Sequence, residues 1–170
     1  MRRVEGGDWA TVGILRPSSG GPRVVFASEA GGVTEVMLYE ITDSRAASEY
    51  AVYRIKGMER AEPMMRYALS SAYGSPFDDL MLFGNGCFCG AELPFEAALT
   101  EGHTLAAPRR LGDFTDADSP LAQHILSRWQ DHPYCVDALS AGDCWPVLTQ
   151  IAIVTPATLI VSDKLERVWR

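Results

Sequence analysis

The sequence has little lysine and no excess of positive charge. It contains two lysines, Lys56 and Lys164, and its 15 basic and 22 acidic side chains give a net charge of -7. The first 60 residues hold 8 basic and 8 acidic side chains, so the later residues, with 7 basic and 14 acidic, carry the whole net charge. Nucleic acids are bound mainly by clustered Lys and Arg. The composition therefore predicts a protein partner rather than a nucleic acid.

Long apolar runs are also lacking. Short runs such as Ile151 to Val154 are far below the ~20 residues that a membrane-spanning helix needs. No apolar stretch follows the arginines near the N-terminus, so we expect no export signal, no membrane contact and a cytoplasmic location. Cysteines are normally reduced there, and spaced cysteines then serve metal binding, catalysis or packing.

No complete catalytic motif is present. The sequence contains neither G-x-S-x-G nor H-E-x-x-H, which excludes the usual starting points for a serine hydrolase or a zincin. A cysteine nucleophile needs a base beside it. None of the three histidines stands next to a cysteine in a pattern that places such a base.

The N-terminal part reads as β structure, because Val-, Ile- and Tyr-rich runs alternate with Gly- and Pro-rich turns. The predicted strands are Trp9 to Arg16, Arg23 to Glu29 and Val33 to Thr42. A turn and a fourth strand are expected between residues 43 and 57. This succession is typical of an antiparallel meander.

Helices are predicted near residues 63–73 and 120–131, where Pro63 and Pro120 suit the first helical turn and apolar residues recur at helical spacing. A short strand is expected at Leu80 to Phe83. The C-terminal part predicts a β-hairpin, with strands Val147 to Thr155 and Thr158 to Ser162, and a further piece through Trp169. The whole pattern favours one α+β domain over residues 1–170, with helices on one face of a largely antiparallel sheet that joins the N-terminal meander and C-terminal hairpin.

The segment GNGCFCG, residues 84–90, is the most unusual in the chain. Its glycines suggest a sharp turn with positive φ, and its third glycine is misplaced for a G-x-G-x-x-G phosphate loop, which a following Pro94 would also disfavour. Three interpretations remain open: a turn that happens to hold two reduced thiols, a metal site, or thiol chemistry.

A zinc site is the sharpest of these hypotheses. Cys87 and Cys89 can offer two thiolates on one side of the turn, and His132 and Cys135 in the fragment DHPYC can supply two more ligands. A Cys₃His set is a permitted structural zinc centre. Against it, free cysteines are often small buried hydrophobic residues.

The segment GCFCGAELPFE resembles a G-x-C-x-C-G-A segment of the glutathione-dependent formaldehyde-activating proteins, which bind zinc. The resemblance covers about eleven residues. It implies a metal-binding role for Cys87 and Cys89. The second cluster of that family, C-x-C-x-x-C, has no counterpart in this chain.

Two functions follow as hypotheses from the sequence. The first is a small acidic binding or regulatory module that acts by contact with another protein. The second is a zinc-binding or cysteine-dependent enzyme centred on Cys87 and Cys89.

Overall fold

A computed structural model describes residues 11–43, 46, 49–115 and 117–169 of the chain. The predicted start of the first strand, at Trp9, lies outside the described residues. The described strands are β1 (Gly13–Arg16), β2 (Arg23–Ser28), β3 (Gly32–Met37), β4 (Val52–Ile55), β5 (Arg109–Arg110), β6 (Ala152–Ile153) and β7 (Leu165–Trp169). The described helices are α1 (Leu38–Thr42), α2 (Glu62–Arg66), α3 (Glu92–Leu99), α4 (Pro120–Leu126), α5 (Ala141–Leu148) and α6 (Pro156–Ile160).

The predicted meander is confirmed by an antiparallel sheet in the order β1-β2-β3. In its first hairpin Arg16 lies opposite Arg23. Glu35 of β3 pairs with both, at 2.5 Å from Arg16 Nε and 3.1 Å from Arg23 Nη1. The carboxylate offsets the repulsion between the two cations, and the hydrogen bond from Arg16 lowers the pKa of Glu35.

The third predicted strand ends five residues early, because Leu38–Thr42 is helix α1 rather than strand. The Glu40 side chain accepts a hydrogen bond from the backbone N–H of Met37 at 2.8 Å. This contact satisfies a donor that the start of a helix leaves unpaired. A local capping signal therefore outweighs the β-forming residues of this segment.

The predicted fourth strand is confirmed as β4, which pairs with β7 in a separate antiparallel sheet. The ring of Tyr50 stacks on that of Trp169 at 4.6 Å between centroids. The final strand through Trp169 thus packs beside the early part of the chain rather than in a C-terminal hairpin.

The predicted C-terminal hairpin is wrong. Helix α5 covers its beginning, β6 pairs with β5 over two residues, and α6 replaces its second strand. Ser140 Oγ accepts from the N–H of Asp143 at 3.2 Å and Thr155 Oγ1 accepts from that of Thr158 at 3.2 Å, which caps α5 and α6 respectively. Side-chain caps of this kind favour helix where the β-branched composition favours strand.

The two predicted helices are confirmed. Helix α2 continues as a π-helical turn, Tyr67–Ser71, and α4 is followed by a 3₁₀ turn, Trp129–Asp131. At the start of α4 the Ser119 hydroxyl accepts from the N–H of Ala122 at 3.1 Å. Both helices have proline in their first turn, where the missing N–H costs nothing.

Helix α3 was not predicted, and Pro94 does not interrupt it. Leu93, Ala97 and Ala98 are fully buried, as is most of the helix. A helix buried on all sides has no amphipathic period for the sequence to reveal. Pro94 lies in the first turn, where the backbone N–H has no helical partner in any case.

Two buried apolar clusters form the core. The first joins the inner face of the meander to α2 and α3 and includes Phe88; the second joins α4 and α5 and includes Met81. The segment from Met81 to Phe88 therefore runs from one cluster to the other, and it places the GNGCFCG turn at their boundary.

The α+β class is confirmed, with antiparallel pairing in every described strand pair of the three sheets. The antiparallel pairing is divided among these sheets rather than collected in one. Within the described part of the chain, no helix has the length and apolar character needed to cross a membrane.

Candidate functional site

The GNGCFCG turn has the backbone that its glycines predict. Gly84 and Gly86 have φ of 71° and 77°, a region that side chains with Cβ avoid. Asn85 Oδ1 accepts a hydrogen bond from the N–H of Cys87 at 2.8 Å. Cys87 is half-buried and Cys89 is buried, and both are free thiols as expected.

Cys89 lies just ahead of α3, against the Glu92 side chain. Glu92 Oε2 accepts from the N–H of Cys89 at 3.2 Å, and Glu92 is only 2% exposed. Burial raises the pKa of Glu92 to about 8, and the charge of Asp78 adds to this effect. At neutral pH this carboxyl group is mainly protonated.

Asp78 is the second buried carboxylate of the site. Its oxygens accept from the N–H of Leu80 at 2.9 Å and from that of Leu82 at 2.6 Å. These bonds wrap residues 78–82 around the carboxylate, with Met81 held at a φ of 56°. The predicted strand at Leu80 to Phe83 is therefore wrong, because this segment follows a side chain rather than a neighbouring strand.

The surroundings of the two thiols disfavour a nucleophilic thiolate. Burial raises the pKa of Cys89, and the charge of Glu92 raises it further. Burial also raises the pKa of Cys87, with Asp78 and Glu92 contributing. A position just before a helix N-terminus usually lowers a thiol pKa, but desolvation and two carboxyl groups oppose that effect here.

His132 is buried near Asp78, at 1% exposure. Its Nδ1 accepts from the N–H of Tyr134 at 3.3 Å, whereas its Nε2 has no partner in good hydrogen-bond geometry. Burial lowers the pKa of His132, although the nearby backbone of Leu80 and the charge of Asp78 oppose this. The imidazole is therefore neutral at physiological pH.

Cys135 does not have a free thiolate to offer to zinc, because it forms a disulfide with Cys144. The predicted set of Cys87, Cys89, His132 and Cys135 is accordingly not assembled. Over the described ranges of the chain, no three His, Cys, Asp or Glu side chains are grouped so that they could hold a metal ion.

The disulfide closes a loop that exposes apolar side chains. Tyr134 is 59% exposed, Val136 78%, Leu139 92% and Val147 44%; these four residues form what we call the 134–147 patch. Tyr134 and Val147 flank one depression of about 390 Å³. Several exposed apolar residues within one short segment of chain make that segment a candidate interaction surface.

A solved structure shares this fold. The chain is similar to the crystal structure of metalloprotein yiiX from Escherichia coli O157:H7, DUF1105, with a TM-score of 0.71 and 18% identity over 99% of this chain and 87% of that chain. No protein-family model and no curated protein matches the sequence. At 18% identity the likeness to yiiX establishes the fold alone.

Sequence reasoning did not identify Asp78 and Glu92 as members of the site. Asp78 reads as a surface acid beside Asp79, and Glu92 as an ordinary charge within AELPFE. One signal was available for Glu92: an acidic residue three positions after Cys89 suits a side chain that returns to a helix N-terminus. For Asp78 the sequence holds no comparable sign.

Proposed function

We propose that the chain is a binding module that contacts a basic, apolar segment of another protein through the 134–147 patch. The observation that carries this proposal is the exposure of Tyr134, Val136, Leu139 and Val147 on one disulfide-closed loop and the helix beside it. Tyrosine is enriched among the residues that supply most of the binding energy in protein interfaces.

Charge specifies the kind of partner. Residues 129–162 contain no Lys or Arg, whereas Asp131, Asp137 and Asp143 lie on their exposed surface. Acidic groups around an apolar surface attract a partner with Lys or Arg near its apolar anchors and repel an acidic one. Interaction with such a partner weakens with salt.

The disulfide supports the patch by holding its loop. Cys135 and Cys144 are buried, and their Cα atoms are 5.2 Å apart. Closing a loop of this length lowers the conformational entropy of the unfolded chain, which stabilises the folded state by about 3 kcal/mol. A loop held in this way loses less entropy when it binds.

The experiment compares two labelled peptides with the same amphipathic pattern, one of leucine and lysine and the other of leucine and glutamate. We expect fluorescence anisotropy to show saturable binding of the lysine peptide only, weaker at high salt. The double variant V136D/L139D should weaken it about tenfold or more. The matched control is V161D, because Val161 is 81% exposed but lies outside the patch. Equal binding by V136D/L139D and V161D would contradict the proposal.

A zinc centre is the second candidate, favoured by two buried atoms. Glu92 Oε1 and His132 Nε2 lack hydrogen-bond partners. Glu92 lies beside Cys89 and near Asp78, and His132 lies near Asp78. These donor types suit zinc. As arranged they do not fit an ion, so binding requires side-chain movement. The structural neighbour is named a metalloprotein.

Metal analysis of protein purified without chelator tests this candidate. If the chain binds zinc, the metal should be present in stoichiometric amount and be lost in Cys89→Ser and Cys87→Ser, while C135A/C144A keeps it. Zinc retained by both serine variants would place the metal elsewhere and remove this candidate.

A cytoplasmic location is a separate proposal, on which binding at the 134–147 patch does not depend. The Cys135–Cys144 disulfide argues against this location, because thiols of cytosolic proteins are normally reduced. Counting alkylated cysteines in protein quenched directly from cells decides the point: four alkylated cysteines are expected for the reduced cytosol, and two for a chain that keeps the disulfide.

A further inference from the structure

A cavity of about 560 Å³ lies between the meander and the sheet formed by β4 and β7. Its walls come from β1, β2, α1, β4, α6 and β7, with Met64 of α2 and Pro94 of α3 also lining it. The volume is within the range of about 300–1,000 Å³ that is typical of small-molecule sites. The cavity is separate from the cysteine turn and from the 134–147 patch.

Apolar side chains around this cavity stay partly exposed to water. The half-buried members of the lining include Phe26, Leu38, Tyr50, Val52, Tyr53 and Ile55. Apolar surface left in water forgoes the stabilisation that burial would provide. An apolar occupant that covers these side chains recovers that stabilisation, whereas folding alone does not.

The charged residues of the lining are Arg54 and Glu59, and both are exposed. In the described part of the chain Arg54 takes part in no ion pair within 4.0 Å, although Glu166 lies opposite it in the β4–β7 register. Arg16 and Arg23, by contrast, both pair with Glu35. An unpaired guanidinium beside an apolar cavity offers a partner to a carboxylate. The long hydrocarbon stem of arginine can lie along the apolar wall at the same time.

We propose that this cavity binds a long-chain fatty acid, with the hydrocarbon chain between the two sheets and the carboxylate paired to Arg54 at the rim. The two sheets supply apolar walls for the hydrocarbon chain of the fatty acid. The cavity is partly open to solvent, so the charged head group can stay in water. This site is independent of the 134–147 patch and goes beyond the protein-binding function proposed above.

Displacement of a fluorescent fatty acid, dansyl-undecanoic acid, by hexadecanoic acid tests the site. We expect saturable binding at one site per chain. Ala51→Trp should weaken binding about tenfold or more, because Ala51 is a small lining residue and an indole there fills the space. The matched control Ala107→Trp adds the same indole at an exposed position outside the lining and should bind normally.

A second filling variant, together with a check of folding, makes the result of this test unambiguous. Val168→Trp fills the cavity from β7, where the side chain is 43% exposed, so it serves if Ala51→Trp does not fold. Circular dichroism and thermal unfolding identify folded variants. Binding that is absent in the native chain, or that survives both folded filling variants, overturns the proposal.

The head group is tested by comparing hexadecanoic acid with hexadecanol. Arg54→Ala should weaken binding of the acid severalfold and leave the alcohol unchanged. Arg60→Ala is the control, since Arg60 is exposed, pairs with Glu62 at 3.7 Å and does not line the cavity. Equal loss for acid and alcohol in Arg54→Ala contradicts the assignment of the carboxylate. Loss of fatty-acid binding leaves peptide binding at the patch intact, so the two proposals fail separately.

Discussion

At the residue scale, the unusual feature is a pair of buried carboxyl groups beside two thiols. Asp78 and Glu92 are each 2% exposed, and a buried charge is costly unless it is paired or hydrogen-bonded. Asp78 receives two short backbone hydrogen bonds, whereas Glu92 Oε1 has no partner. The cost of burying each carboxyl group is therefore reduced in a different way. Hydrogen bonds stabilise the carboxylate of Asp78, whereas Glu92 avoids the charge by remaining protonated.

We expect Glu92→Gln to alter how stability depends on pH. The pKa of Glu92 is raised from 4.5 to about 8, chiefly by burial, so the folded state holds a proton that the unfolded state has released. Between these two values the native chain loses stability as pH rises, by up to about 1.4 kcal/mol per pH unit. The glutamine variant removes this slope.

Urea unfolding at several pH values checks the prediction. The raised pKa of Asp78 and the lowered pKa of His132 also contribute to the pH profile, but both chains share them, so the difference between the profiles isolates Glu92. Parallel profiles for the native chain and Glu92→Gln would show that Glu92 is ionised in the folded state.

A second residue-scale prediction concerns the free thiols. Cys87 is half-buried and Cys89 buried, and the pKa of each is raised chiefly by burial. We expect iodoacetamide at neutral pH to modify Cys87 slowly and Cys89 only after unfolding, as followed by peptide mass spectrometry. Rapid modification of Cys89 in the folded protein would instead indicate an activated thiolate and revive the cysteine-enzyme hypothesis.

At the scale of elements, one glycine allows the meander to pack closely against the backbone that follows α2 and its π-helical turn. Gly32, the first residue of β3, has a φ of 64°, and a Cβ there would overlap the carbonyl oxygen of Ser75. That oxygen accepts from the N–H of Val33 at 2.9 Å, and the carbonyl of Val33 accepts from the N–H of Gly74 at 2.9 Å. The close approach of the two backbones requires glycine.

Gly32→Ala should therefore destabilise the chain more than Gly57→Ala. Both glycines have positive φ, at 64° and 75°, but nothing lies within 4 Å of a Cβ at Gly57. Gly57→Ala should cost only the backbone strain of about 1–2 kcal/mol. Gly32→Ala should cost clearly more, because Ser75 must also move; chemical denaturation measures both. Equal losses of unfolding free energy in the two variants would mean that β3 and Ser75 can separate without cost.

At the scale of the whole molecule, the net negative charge lies entirely in the residues beyond 60. Three of the acidic side chains beyond residue 60, Asp131, Asp137 and Asp143, are exposed and lie within or close to the 134–147 segment in the sequence. This distribution opposes a phosphate backbone and suits a basic protein surface. The protein partner expected from the sequence is still a proposal, and the peptide experiment tests it.

We expect no tight binding of duplex DNA at physiological salt. The net charge is -7, and non-specific binding of DNA comes almost entirely from cationic contacts that release counterions. A mobility-shift titration at low and physiological salt checks this, with a basic protein of similar size as the positive control. Saturable binding at physiological salt would reveal a cationic surface that the composition does not indicate.

Local signals explain which elements were predictable. The meander was predicted because turn residues and β-forming runs alternate over short distances, and α2 and α4 because Pro63, Ser119 and Pro120 begin helices by local geometry. The turn at Gly84 and Gly86 belongs to the same class, since positive φ is a property of the residue itself. For these features the sequence alone determined the outcome.

Tertiary structure decided the rest. Six of the eight residues of helix α3 are buried, so burial stabilises most of its surface without an amphipathic pattern. The disulfide between Cys135 and Cys144, the approach of Asp78 and Glu92 to the thiols, and the cavity between two sheets each depend on which segments pack together. Composition and spacing limit which residues are able to meet, but the packing of the whole chain selects which of them do, because burial is gained only when distant segments come into contact.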